Sequence, residues 1–146
     1  MTVKRKPILC LDFDGVIHSY RSGWQGPWTI PDDPTPGAIE FIHTAIIEGW
    51  DVVIHSSRAR YPFGITAMRL WLRGHAGNMW DTMGPSICEV RFVRWKPPAL
   101  VTLDDRAVTF SGKWPSLSEL NKFQPWTKRK SKSAQEQMWE PREGKE

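Results

Sequence analysis

The sequence predicts an α/β domain built on a mostly parallel sheet flanked by helices, and three observations carry that expectation. Apolar runs of strand length recur at Pro7-Ile8-Leu9-Cys10-Leu11, Asp51-Val52-Val53-Ile54-His55 and Leu100-Val101-Thr102-Leu103, and near-continuous apolar strands belong to sheets covered on both faces. A helix-periodic segment lies between the first two, and strand, helix, strand in this length implies a right-handed parallel crossover. The first and third runs both end in closely spaced aspartates.

The first run delivers Asp12 and Asp14 to a strand end, where positions i and i+2 share a face if the extended geometry persists. Gly15 then lets the chain turn sharply and bring its backbone close to a bound group. Taken alone, the two acids read as a turn cap or as a site. Residues 18–34, rich in glycine, proline and polar side chains, read as a loop or short hairpin flap. Trp24 and Trp28 within it either pack the flap onto the domain or cover a substrate.

Thr35-Pro36-Gly37 reads as a helix start, with Thr35 as cap and Pro36 in the first helical position. Ala38, Ile39, Ile42, Ala45 and Ile46 follow at helical spacing, and Gly49 ends the helix. Ile65, Met68, Trp71 and Leu72 form the apolar stripe of a second helix ending near Gly74. Residues 77–85 are irregular, 87–93 alternate as a short strand, 108–110 add another, and 115–120 form a short helix with Trp114 packed nearby.

A chain of 146 residues suffices for one core, here assigned to residues 1–126. No apolar run approaches the roughly 20 residues of a membrane span, and the N-terminus lacks a signal-type cleavage region, so a cytoplasmic protein without a membrane partner is expected. Cys10 and Cys88 form no metal or redox motif and read as reduced packing residues. The formal charge of +4 divides equally between residues 1–126 and the far shorter 127–146. That tail, opening Lys128-Arg129-Lys130, reads as disordered, either a solubilising terminus or an electrostatic arm for nucleic acid. Oligomeric state is not legible.

Ser56-Ser57-Arg58 follows the second strand at its carboxyl end, where open α/β sheets bind ligands. Hydroxyls and a guanidinium suit phosphate oxygens, which makes Ser57, Arg58 and Gly15 candidate substrate contacts. Ser56 reads equally as a helix cap beside a solvated arginine. The strand ends together gather Asp12, Asp14, Ser56, Lys96, Asp104 and Asp105. Two carboxylates about 4 Å apart repel by on the order of 4 kcal/mol at an effective dielectric near 20, so a cluster of four acids calls for a cation. An all-oxygen donor set without cysteine or histidine points to Mg²⁺.

These residues resemble the motifs of the haloacid dehalogenase (HAD) superfamily of phosphatases and phosphotransferases. Asp12-Phe13-Asp14-Gly15-Val16 is similar to its first motif, the apolar strand ending at Ser56 to the second, Lys96 to the third and Leu103-Asp104-Asp105 to the fourth. Lys96-Pro97-Pro98-Ala99 running into Asp104-Asp105-Arg106-Ala107 also resembles small phage and bacterial members, including phosphatase domains related to polynucleotide kinase. The resemblance implies a Rossmann-like (HAD-like) domain in which Asp12 attacks phosphorus to form an aspartyl-phosphate and Asp14 carries the proton. It implies that Ser56 bonds the phosphoryl group, with Ser57 as the adjacent alternative, and that Lys96 balances charge, with Arg58 or Arg94 as substitutes. Asp12, Asp14 through its carbonyl, Asp104 and Asp105 would hold or support Mg²⁺. The intervals where larger members insert cap domains are already occupied by flap, helix and strand, which implies a capless, open site for a phosphorylated substrate such as a nucleotide or nucleic-acid terminus. A phosphotransferase of the same fold, a nuclease using the same acids and a binding module without turnover are the alternatives.

Overall fold

The computed structural model describes residues 3–77 and 88–128, and the chain forms two compact units, Met1–Ala107 and Val108–Glu146. The first contains the sheet: β1 (Ile8–Leu11), β2 (Asp51–His55), β3 (Arg91–Val93) and β4 (Val101–Leu103), with α1 (Ala38–Ile47) before β2 and α2 (Gly64–Ala76) after it. Every pairing is parallel and the strand order is β3-β2-β1-β4. This is the α/β, parallel-sheet class expected from the apolar runs.

Register determines what each face buries. Leu9 and Leu11 align with Val52 and Ile54 on one side and with Val101 and Leu103 on the other. Leu9, Leu11, Val52 and Ile54 share one core with Ile39, Ile42, Ala45 and Ile46 of α1 and with Met68, Leu72 and Ala76 of α2. Both helices therefore cover the same face, as two successive right-handed crossovers stepping in one direction require. A helix of this length is marginal alone, and each large aliphatic residue it buries contributes about 1.5–3 kcal/mol. The apolar stripe is thus what holds α1 and α2 in place.

Several local expectations are corrected. Thr35 does not cap α1: its hydroxyl donates to the Val16 carbonyl (2.6 Å) and its N–H to the Ile17 carbonyl (2.8 Å). The helix starts instead after Gly37, whose φ of 81° is left-handed. Residues 108–110 form no strand. Cys10 is buried but Cys88 is exposed, so only the first is a packing residue. The irregular stretch expected over 77–85 lies, apart from Gly77, outside the described residues. So does the tail beyond Lys128, while Thr127 and Lys128 continue a 3₁₀ turn from Trp126.

In the second unit, α3 (Leu117–Asn121) is set by a reciprocal cap. The Ser116 hydroxyl accepts the Glu119 N–H and the Glu119 carboxylate accepts the Ser116 N–H, both at 3.2 Å, which satisfies two donors a helix start leaves open. Phe110 and Trp114 pair with ring centroids 4.8 Å apart. Among the described residues, no helix is long and apolar enough to cross a membrane.

Candidate functional site

The strand order explains why acids ninety residues apart in the chain meet. From β1 the chain steps to β2 and β3 on one side and then crosses back to β4 on the other, making the carboxyl ends of β1 and β4 the point where such sheets open a ligand crevice. The ladder continues past the strands, with the Asp12 N–H donating to the Leu103 carbonyl (2.9 Å). Asp12 and Asp104 thus emerge side by side. One oxygen from each of Asp12, Asp104 and Asp105 lies within 4.8 Å of the others.

This proximity is electrostatically unfavourable. Burial, opposed by the Phe13 N–H and reinforced by the charges of Asp104 and Asp105, pushes the Asp12 carboxyl up to about 8. Burial also raises Asp105, which is hydrogen-bonded to Asp12. The side chain of Asp105 is nearly inaccessible and its Oδ1 has no hydrogen-bond partner, although such an atom costs about 1–3 kcal/mol if left unpaired. A cation among three converging carboxylates removes the repulsion and satisfies that oxygen, and the donor set suits a hard metal. The cluster could hold a metal ion.

Gly15 serves this cluster by having no side chain. Its φ is +83°, and a Cβ there would lie 2.7 Å from Asp105 Cγ. We expect Gly15→Ala to destabilise the protein by more than 1 kcal/mol and to weaken any metal binding, whereas Gly49→Ala, with φ +91° but nothing within 4 Å, shows the backbone term alone. Urea unfolding with and without metal separates the two effects. Equal losses in both variants, with metal binding intact, would show that the approach of Asp105 to Gly15 does not matter.

Asp14 faces a different set of partners. Its carboxylate accepts from Arg58 Nε (3.1 and 2.8 Å to its two oxygens) and Nη2 (3.1 Å), and from His18 Nδ1 (2.8 Å). The Asp32 N–H donates to His18 Nε2 (3.2 Å), which leaves the ring proton on Nδ1, pointing at Asp14. Burial works to raise Asp14, but hydrogen bonds from His18 and Arg58, with the Arg58 charge, outweigh it and hold the carboxyl below its ordinary value. The Asp14 carboxylate is therefore not one of the three acids that face one another, and it stands as an ionised anchor.

Arg58, expected as a phosphate contact, is fully buried. Its Nη1 donates to the carbonyls of Gly26 (2.8 Å), Pro27 (3.1 Å) and Thr29 (3.2 Å), and its guanidinium lies 4.7 Å from the Trp24 ring centroid. A guanidinium engaged on both sides has no open fork for substrate. Nor is it the solvated arginine that a simple helix cap at Ser56 would leave: it fastens the flap to β1 through Asp14. Ser56 is buried and accepts the Arg58 N–H (3.3 Å), capping the 3₁₀ turn Ser57–Arg60. Its hydroxyl proton is not used in that bond. Ser57 is exposed.

The cations left for an anion at the mouth are different ones. Lys96 is exposed and, like Asp12 and Asp104, acts electrostatically on Cys10. Arg106 Nε is 4.0 Å from Asp105 Oδ2. Arg94 is exposed on the chain that leads to Lys96.

Two residues at the site were missed in the sequence. His18 is fully buried among the rings of Phe13, Tyr20 and Trp71. Tyr20, at a left-handed φ of 58°, has its phenol raised by burial and by Asp14, with Arg106 and Arg58 opposing. The only signal for either was position, four and six residues after Asp14.

No protein-family model, no curated protein and no solved structure matches this chain.

Proposed function

We propose that the chain is a small, capless HAD-like enzyme: a Mg²⁺-dependent phosphomonoesterase working through an aspartyl-phosphate. The observation that carries this reading is the convergence of Asp12, Asp104 and Asp105 at the sheet's switch point, with Asp105 Oδ1 buried and unpartnered. Asp12, Asp104 and Asp105 would hold the ion, which when bound supplies positive charge to the phosphoryl oxygens and keeps Asp12 ionised.

The protein's own groups account for the rest. Asp12 attacks phosphorus as the bond to the leaving oxygen breaks, and water then attacks the aspartyl-phosphate at phosphorus, releasing phosphate and restoring the carboxylate. Ser56 donates its free hydroxyl proton to a phosphoryl oxygen, and Lys96 and Arg106 offset the charge that Arg58 cannot reach. Asp14, held ionised, suits the base that takes a proton from water. So held, it has no proton to give in the first half, where the leaving oxygen takes its proton from solvent water; the proton Asp14 takes from the attacking water returns to solvent.

The test is phosphate release from nucleotides, sugar phosphates and 3′- or 5′-phosphorylated oligonucleotides, with and without Mg²⁺. Release that needs the metal and disappears in Asp12→Asn is expected. Full activity in that variant, or none on any substrate, overturns the reading.

A further inference from the structure

Two short segments of the first unit, the flap and the turn after β2, expose four aromatic rings. Trp24 is 45% exposed, Trp28 59%, Tyr61 45% and Phe63 75%. One such ring on a surface is ordinary, but four in two adjoining segments form an exposed apolar patch.

Three of the rings are held in place. The Trp28 indole N–H donates to the Pro62 carbonyl (2.7 Å), tying the two segments together. Trp24 is backed by the buried Arg58 guanidinium, and its ring centroid lies 6.1 Å from that of Tyr61. Phe63 has a left-handed φ of 61° immediately before α2, a conformation costing a non-glycine residue about 1–2 kcal/mol. Strain kept at an exposed aromatic points to a use for its ring. The Arg58 group behind Trp24 reaches Asp14 at 2.8 Å, two residues along the chain from Asp12. Arg21 and Arg60 are exposed in the same two segments and give the patch charge complementary to a phosphate chain.

We propose that Trp24, Trp28, Tyr61 and Phe63 form a stacking shelf for the base of a nucleotide whose phosphate enters the Asp12, Asp104 and Asp105 cluster. This rests on the phosphomonoesterase reading and adds its substrate class. A nucleobase presents a flat π face, and stacking it on an aromatic side chain contributes about 1–3 kcal/mol; a sugar phosphate has nothing to offer the shelf. A free nucleotide and a single-stranded end supply the same face.

Two arms test this with the full chain. Binding by Asp12→Asn, which cannot turn over, is measured calorimetrically for a nucleoside monophosphate, ribose 5-phosphate and an unphosphorylated single-stranded octanucleotide. The second arm is steady-state hydrolysis by Trp28→Ala and Phe63→Gly. Both variants are expected to raise KM roughly tenfold for base-containing substrates, about 1.4 kcal/mol, while leaving kcat and the kinetics on ribose 5-phosphate unchanged. Added to Asp12→Asn, they should weaken its nucleotide binding by the same factor. Phe63→Gly should also unfold at a higher temperature than the parent, so its weaker binding is not misfolding. Preference for the octanucleotide identifies a nucleic-acid end, and preference for the monophosphate a free nucleotide. Base-containing ligands that bind no better than ribose 5-phosphate, with variants indistinguishable from parent, overturn the shelf even if phosphate is released. So does self-association lost in Trp28→Ala with nucleotide binding intact. No phosphate release, but weaker octanucleotide binding in Trp28→Ala, sinks the phosphatase and keeps the shelf.

Discussion

Asp12→Asn is expected to abolish phosphate release and, in metal-free buffer, to make the protein more stable. The activity loss follows from removing the proposed nucleophile, on the order of 10⁴–10⁶-fold where such a group is deleted. The stability gain follows from the carboxyl's position near 8. Between about pH 4, where the unfolded chain releases this proton, and about pH 8, the folded state still holds it. The unfolded state then binds fewer protons, so stability falls as pH rises across that window. In EDTA the parent should lose stability from pH 4 to pH 8, by a few kcal/mol at most, and Asp12→Asn should show a flatter profile. Mg²⁺ should restore the parent at pH 8 and do nothing for the variant. Urea midpoints at four pH values, with EDTA or Mg²⁺, test all of this. Identical pH profiles for parent and variant in EDTA would mean that Asp12 is not crowded by Asp104 and Asp105. A variant that still responds to Mg²⁺ would place the ion elsewhere.

The acids could be read from sequence because a parallel sheet sends every strand's carboxyl end to one edge, and apolar runs that stop at Asp12 and Asp104 mark those ends directly. The strand ends were expected to gather Asp12 and Asp104, but strand order could not be read, so nothing in the sequence said that their strands are adjacent or that β1 is where the sheet turns back. Arg58 shows the sharper limit. A guanidinium just past a strand end fits a phosphate and a carboxylate equally well, and the choice is made by carbonyls of Gly26, Pro27 and Thr29, some thirty residues earlier. Thr35 failed as a cap for a similar reason, since the Val16 carbonyl took its hydroxyl first. His18 lacks metal-ligand spacing, and nothing local announces that Phe13, Tyr20 and Trp71 will enclose it. Periodicity finds elements and their ends; which polar group meets which is settled by tertiary contacts that have no period.

Arg58→Ala should cost about 3–5 kcal/mol, because it leaves a buried carboxylate without its main partner. Three backbone carbonyls of the flap lose their donor at the same time, and the Trp24 ring loses the cation behind it. Arg58→Lys keeps the charge but not the fork: one ammonium cannot meet Asp14 and the flap together, so it should recover only part of the loss. Asp14→Asn in the Arg58→Ala background should cost far less than in the parent, since the charge it removes is by then unpaired. The pH dependence carries the same signature with a defined sign. A carboxyl lowered on folding stabilises above its unfolded value near pH 4 and loses that contribution as pH falls through its folded value, so Arg58→Ala should flatten the acid limb of the parent's stability curve. Urea unfolding of the five proteins from pH 3 to pH 7 measures every part of this. A loss under 1 kcal/mol in Arg58→Ala, or strictly additive effects with Asp14→Asn, would show that the flap and β1 are not fastened through this guanidinium. A large, non-additive loss would mean that the residue whose type most suggests phosphate binding acts here as a structural tie, leaving substrate charge to Lys96 and Arg106.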